Sequence, residues 1–186
     1  MGFNRSMIPA LRFHPYEPAF AAAFEAINTE WLQELFEVEE SDVETLQNPD
    51  RIVAGGGEIW FAELMKDAKP GDPAHVDHLV GCAALRRIEP PLAEPEEGLF
   101  ELTKMGVLAS ARGQKVGEPL LLQVLKRARE NPGIQRLFLL TSKKCEAAIH
   151  LYEKHGWQHD QSMLDRFGHV YRRSNVGMIY PEVWQS

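Results

Sequence analysis

Residues 99–130 read LFELTKMGVLASARGQKVGEPLLLQVLKRARE, and the fold is decided there. Leu99–Leu108 reads as a strand. From Val116 to Glu130, Val116, Leu120, Leu121, Val124, Leu125 and Ala128 recur at helical spacing, so an amphipathic helix follows. Between them stands Arg112-Gly113-Gln114-Lys115-Val116-Gly117-Glu118. A strand, a glycine-bearing turn and a helix N-terminus make an anion site, because amides without intrahelical partners point outward and the helix dipole favours negative charge. Gly113 and Gly117 let a phosphate approach the backbone. Pro119 is tolerated in the first helical turn, where amides have no intrahelical acceptor anyway. Neither a Walker A loop nor a dinucleotide GxGxxG fits this turn.

Downstream, a strand at Gln135–Thr141 and a helix at about Cys145–His155 complete a βαβα stretch. Strand material returns at His169–Arg173 and Val176–Tyr180. Upstream, Ile8–Phe13 reads as a first strand, and a helix from Pro18 carries Phe20, Ala23, Phe24, Ile27 and Trp31 on one face. Ser41 and Glu44 form a capping-box pattern for a short helix over 41–46. Strands are expected at Glu58–Met65 and His78–Ile88, joined by a polar connection over 66–77. Another loop, rich in proline and acid, spans 89–98. Strands and helices are mixed, so the fold class is α/β or α+β.

The chain has 186 residues, 44% of them apolar, which suits a single domain over 1–186 with one well-buried core. No apolar run is long enough for a membrane span, and no signal-peptide core precedes residue 18. Cys82 and Cys145 have no zinc-like spacing, and the seven histidines are scattered, so no metal is expected. Two free thiols fit a cytoplasmic protein. Residues 1–100 hold 7 Lys/Arg against 19 Asp/Glu, and residues 101–186 hold 13 against 8. No basic stripe interleaved with aromatics appears, so nucleic acid is disfavoured as a partner.

The run FELTKMGVLASARGQKVGEPLL, followed by LFLLTSKKCEAAIHLYEKHGW, resembles the GNAT superfamily of acetyl-CoA-dependent N-acetyltransferases. Its (Gln/Arg)-x-x-Gly-x-(Gly/Ala) motif is matched by Arg112 and Gly117, with Lys115 where the first Gly is usual. Its Asn-x-x-Ala-x-x-Leu-Tyr-x-x-x-Gly-Phe motif is matched by Ala148, Leu151, Tyr152, Gly156 and Trp157, with Cys145 in place of the Asn. The resemblance covers a cofactor-binding core of about 98–158 and is looser elsewhere. It implies a mixed, mostly antiparallel central sheet with one splayed parallel strand pair, flanked by helices.

It also implies acetyl-CoA as co-substrate. Arg112, Gly113, Gln114, Lys115, Gly117 and Glu118 would cradle its phosphates, Met105 and Val107 would hold the pantetheine by main-chain groups, and Cys145 would lie on the cofactor side. The Met105 amide would polarise the thioester carbonyl, Tyr152 would protonate the leaving thiolate, and Glu101 would act as general base. In a regular strand Glu101 shares a face with Thr103, Met105 and Val107. Each residue also has a plainer reading: Glu101 as an ion-pair partner, Tyr152 as a packed aromatic, Trp31 and Phe36 as core. Arg173 and Asn175 suit a substrate carboxylate or an acidic neighbour equally well.

The resulting expectation is an acyltransferase that moves acetyl to a primary amine, most simply a small-molecule acceptor, by direct transfer in a ternary complex. A protein N-acetyltransferase and a non-catalytic acyl-CoA-binding sensor are the alternatives. Edge strands in such folds often pair, so a homodimer is compatible with the sequence, which does not itself fix the oligomeric state. The basic second half would face the CoA phosphates, and the acidic first half would tolerate a cationic acceptor.

Overall fold

A computed structural model describes residues 10–65, 75–90, 92–93 and 97–181. Seven strands form one sheet: β1 Leu11–Pro15, β2 Glu58–Leu64, β3 Leu79–Arg87, β4 Leu99–Val107, β5 Arg136–Thr141, β6 Gln158–His159 and β7 Val176–Tyr180. Their spatial order is β1-β2-β3-β4-β5-β7-β6. Every neighbouring pair is antiparallel except β4 and β5, which run parallel. The helices are α1 Ala21–Leu35, α2 Glu40–Gln47, α3 Asp50–Ala54, α4 Gly117–Glu130, α5 Glu146–Lys154 and α6 Gln161–Phe167. This is the mixed, mostly antiparallel architecture expected, with its one parallel pair in the expected place.

Helices cover both faces of the sheet, and β3 shows why its sequence is so rich in small residues. Cys82 and Ala84 pack under α1 with Phe24, Ile27 and Phe61. Ala83 and Leu85 pack on the other face with Leu120, Leu121 and Val124 of α4. A strand buried on both faces reads as a continuous apolar run rather than an alternation. The α4 stripe is buried as its periodicity requires. Farther along the α1 face, α6 closes the sheet, with Phe167 stacked on Phe138 at 4.7 Å between ring centroids.

Three local expectations need correction. The capping box of α2 is formed by Glu39 and Asp42, not Ser41 and Glu44; Glu44 instead pairs with Arg51. His169–Arg173 is not a strand: a 3-10 turn over Gly168–Val170 follows α6. The helix α6 itself was not anticipated, although Asp160 accepts a hydrogen bond from the Met163 amide at 3.2 Å and so starts it. Ile8 and Pro9 of the expected first strand, most of the 66–77 connection, and residues 91 and 94–96 lie outside the described residues.

Candidate active site

The parallel pairing of β4 with β5 is short. It holds Leu99 to Arg136, Phe100 to Leu137 and Glu101 to Phe138, and ends there. Beyond it, Leu139, Leu140 and Thr141 pair only with β7. The strands therefore splay, and a cavity of about 100 Å³ opens between them, lined on one side by Leu102–Met105 and on the other by Leu139–Ser142. Trp31, Phe36, Cys145 and Tyr152 complete much of its wall. A shallower groove continues past Met105, Gly106 and Val107 toward Arg112 and the start of α5.

A bulge shapes this edge. Cys82 faces Gly106 and Ala84 faces Thr103, so Lys104 and Met105 have no ladder partner on either side. Lys104 takes φ +50, and its side chain turns toward α2. Gly106 beyond it is obligatory: a Cβ there would stand 2.5 Å from Trp31 Cδ1. Trp31 is fixed in turn by donating from Nε1 to Asn28 Oδ1 at 3.0 Å. Buried Asn28 donates to the Phe24 carbonyl and to Cys82 Sγ.

The bulge also reverses the alternation of β4. Met105 and Val107 pack with the α4 and α5 side of the core, whereas Glu101 pairs across to Arg86 on the α1 side. The expectation that Glu101, Thr103, Met105 and Val107 share one face does not hold, because the extra residue shifts the register by one. Glu101 is 1% exposed and is absent from the cavity wall. Tyr171 stands in the cavity wall, and the charges of Glu101 and Arg86 both act on its hydroxyl, which links Glu101 to the cavity at second hand.

The phosphate turn is built from backbone. Gly113 has φ +77 and Lys115 φ +59, so two left-handed residues alternate with right-handed or extended ones ahead of α4. Among the described residues, the amides of Gly113, Lys115, Val116, Gly117 and Glu118 donate to no backbone carbonyl. Such alternation turns successive N–H groups into one concavity, a nest for an anion. A Cβ on Gly113 would meet nothing within 4 Å, and one on Gly117 would make only ordinary contact with Leu151 and Val107. The space in front of the turn is thus open to a ligand. Arg112 is drawn toward α1, donating to Glu34 at 2.6 Å and to the Val107 carbonyl at 3.3 Å. Glu118 accepts from Lys154 and His155, each at 2.7 Å, and these bonds hold its carboxyl below the usual range.

Tyr152 is 7% exposed, and its hydroxyl lies 3.8 Å from Met105 Sδ, at the bottom of the splay. Burial, with a smaller contribution from Cys145, pushes its pKa well above the ordinary tyrosine value. The phenol therefore stays protonated, as a proton donor must be. Cys145 sits at the N-terminus of α5, half-buried, and lines both the cavity and the adjoining groove.

Sequence reading missed a charged cluster behind the cavity. Asp42, fully buried, accepts from Lys104 Nζ at 2.5 Å and from both terminal nitrogens of Arg173, at 2.6 and 2.8 Å. Burial alone would raise its pKa, but the Arg173 hydrogen bonds and the Lys104 charge outweigh that and hold it low. Lys104 is pushed the other way: burial lowers its pKa, only partly offset by Asp42. These residues come from α2, β4 and the loop before β7, so no spacing in the chain announces them. Asn175 is used structurally, accepting from the Lys143 amide at 2.8 Å. Among the described residues no group of three His, Cys, Asp or Glu side chains could hold a metal, and no helix is long and apolar enough to cross a membrane.

Comparison with known proteins agrees with this geometry. The model of the acetyltransferase (GNAT) family matches residues 23–157. An uncharacterized N-acetyltransferase of Escherichia coli K12, YjgM, is 38% identical over 80 residues, which is 43% of this chain; the match spans about half (47%) of that relative's length. An acetyltransferase of the GNAT family from Staphylococcus aureus Mu50 superposes with a TM-score of 0.73 at 18% identity, over 95% of this chain and all (100%) of that one. Arabidopsis thaliana NAA60, solved with acetyl-CoA, superposes with a TM-score of 0.61 at 19% identity, over 92% of this chain and 98% of that one.

Proposed function

Because the chain belongs to the GNAT family of acetyltransferases, we propose that it transfers an acetyl group from acetyl-CoA to a primary amine, directly and in a ternary complex. The observation that carries this reading is the splay of β4 from β5, which leaves Met105 without a ladder partner beside an open cavity. Acetyl-CoA supplies an activated acetyl thioester; the chain's own residues do the rest. The nest over 113–118 takes the phosphates through backbone amides, helped by the α4 dipole. Main-chain groups of Met105 and Val107, on the β4 edge that β5 leaves open, bind the pantetheine arm as an added strand would. The Met105 amide then receives the charge that develops on the carbonyl oxygen, an effect worth about 3 kcal/mol in comparable sites.

Tyr152 then donates its proton to the leaving thiolate. The balance is simple: the C–N bond forms, the C–S bond breaks, and one amine proton ends, by way of water and Tyr152, on the CoA thiol. Glu101, clasped by Arg86 and outside the cavity wall, acts through Arg86 and Tyr171 as a positioning residue. The acceptor therefore enters as free amine drawn from solution. Direct transfer is favoured over a covalent route through Cys145, since no histidine stands in the cavity wall to activate its thiol.

The test is a panel of amines incubated with acetyl-CoA, with free thiol release followed and acetyl-CoA binding measured by calorimetry. Binding with amine-dependent thiol release is the expected result. Binding without release under any amine would favour the sensor, and absence of binding would remove the reading altogether.

A further inference from the structure

The cavity wall carries two cations, Lys104 and Arg173, and among its residues there is no Asp, Glu or His. The acidity of the first half of the chain reaches only the layer behind. There the carboxylates of Asp42, Glu39 and Glu101 are committed. Both oxygens of Asp42 accept from Lys104, Arg173 and the Glu39 amide. Glu39 accepts from Arg173 and from the Arg172 amide, and Glu101 is clasped by Arg86. An ammonium and a guanidinium carry more N–H groups than these bonds use. The cluster thus has donors to spare and no acceptor to spare. Tyr171 adds to this. Its pKa is pushed up to about 12 by burial and by the Glu101 charge, so its hydroxyl keeps a proton to give.

A simple cationic amine would find no counter-charge here; an anionic group would find three donors. We propose that the acceptor is a free amino acid, its carboxylate held by Lys104, Arg173 and Tyr171 and its amine directed toward Met105 and Tyr152. This rests on the transferase reading above. A planar carboxylate suits a guanidinium edge. The cavity, about 100 Å³, has room for an amine and an adjacent carboxylate. The side chain would lie in the neighbouring groove of about 810 Å³ that shares Phe36 and Arg173 with the cavity and carries charges of both signs, Glu37, Glu39 and Glu40 beside Lys144 and Arg172. The reaction is an ordinary amide formation: the amino acid nitrogen takes the acetyl group and CoA leaves as the free thiol.

The test uses matched acceptors, each a free amino acid, its carboxamide and its decarboxylated amine, with the wild-type protein and acetyl-CoA. The free acid should show a kcat/KM at least about tenfold above both partners, because unpaired donors in the site penalise an acceptor without the carboxylate. Carboxamides have the more readily deprotonated amine, so this preference would run against intrinsic reactivity. A carboxamide equal to or better than the acid would point to peptide N-termini and overturn the inference, as would a preference for the plain amine. Lys104→Met should bring acid and amide close to parity; an undiminished preference would overturn the role given to Lys104.

Calorimetry with N-acetyl amino acids and N-acetyl carboxamides, titrated into the CoA-loaded protein, reads recognition without turnover. Tighter binding of the acids supports the inference, and equal binding overturns it. Should acetyl-CoA bind while no acceptor is turned over, the transferase reading fails by itself and this titration still decides carboxylate recognition.

Discussion

The phosphate turn and the acceptor cavity lie at opposite ends of the same splayed strand, and they are built on different plans. The turn over 112–118 is contiguous in sequence and works through backbone: alternating φ signs, unpaired amides and a helix N-terminus. The cavity works through side chains that α2, β4 and the loop before β7 bring together, with Asp42 and Arg173 separated by 131 positions. A backbone device tolerates changes of side chain but not of shape. A side-chain device tolerates neither loss of charge nor loss of a partner. The two regions should therefore fail differently when mutated.

The largest effect is expected at the turn. Gly117→Val should fold normally, since a Cβ at Gly117 meets only Leu151 and Val107 at ordinary distance. It should nevertheless weaken acetyl-CoA binding by about 100-fold or more by filling the approach to the amides. A variant that binds normally in calorimetry would refute the nest.

Asp42→Asn should do the reverse. Removing the buried carboxylate strands Lys104 and Arg173, at a cost of about 3 kcal/mol, while acetyl-CoA affinity in the surviving folded protein stays within about twofold. The same carboxylate makes an acid signature. Its folded pKa lies below the unfolded value of about 3.9, so its contribution is complete above that pH and is lost as pH falls through the folded pKa. Thermal melts over the acid range should show this loss in the wild type and lack that component in Asp42→Asn. An identical acid profile in both proteins would mean that Asp42 is not the keystone.

Between the two regions stands Tyr152. Tyr152→Phe should lower kcat about 100-fold with little change in acetyl-CoA affinity, as removal of a proton donor does; unchanged turnover would leave it a packing residue. Glu101→Gln should cost less, under about tenfold in kcat, because Glu101 reaches the cavity only through Arg86 and Tyr171. A loss of the size expected for a general base would restore it to direct proton transfer.

The smallest effect belongs to Lys115, a non-glycine residue at φ +59. Lys115→Gly should raise stability by about 1 kcal/mol by relieving that conformation, with the nest preserved; a fall in the melting temperature would contradict this.

The same contrast explains what the sequence made legible. The turn, the α4 stripe from Leu120 to Ala128, and the βαβα order were readable because their signals are local and periodic; the parallel strand pair came from the family resemblance. Tyr152 was placed by its motif. The bulge at Lys104 was not readable: its mark is one residue more in β4, Lys104 and Met105 standing against Ala83 alone in β3, a property of two strands together. That single residue turned Glu101 away from the face shared by Met105 and Val107. The Asp42 cluster was equally silent: Arg173 was readable as a partner for some carboxylate, but that the carboxylate is Asp42, shared with Lys104, appears only when α2 is laid over them. Helix α6 was the nearer miss, signalled by Asp160 as cap and by Met163, Leu164 and Phe167 behind it.

The most direct test of the whole arrangement is a two-substrate initial-velocity study, with acetyl-CoA varied at several fixed concentrations of the best acceptor. If the nest and the cavity are filled together and the acetyl group passes straight across the splay, the reciprocal plots intersect, and Cys145→Ala leaves that pattern unchanged. Parallel lines, together with an acetylated Cys145 on the enzyme incubated with acetyl-CoA alone, would contradict direct transfer.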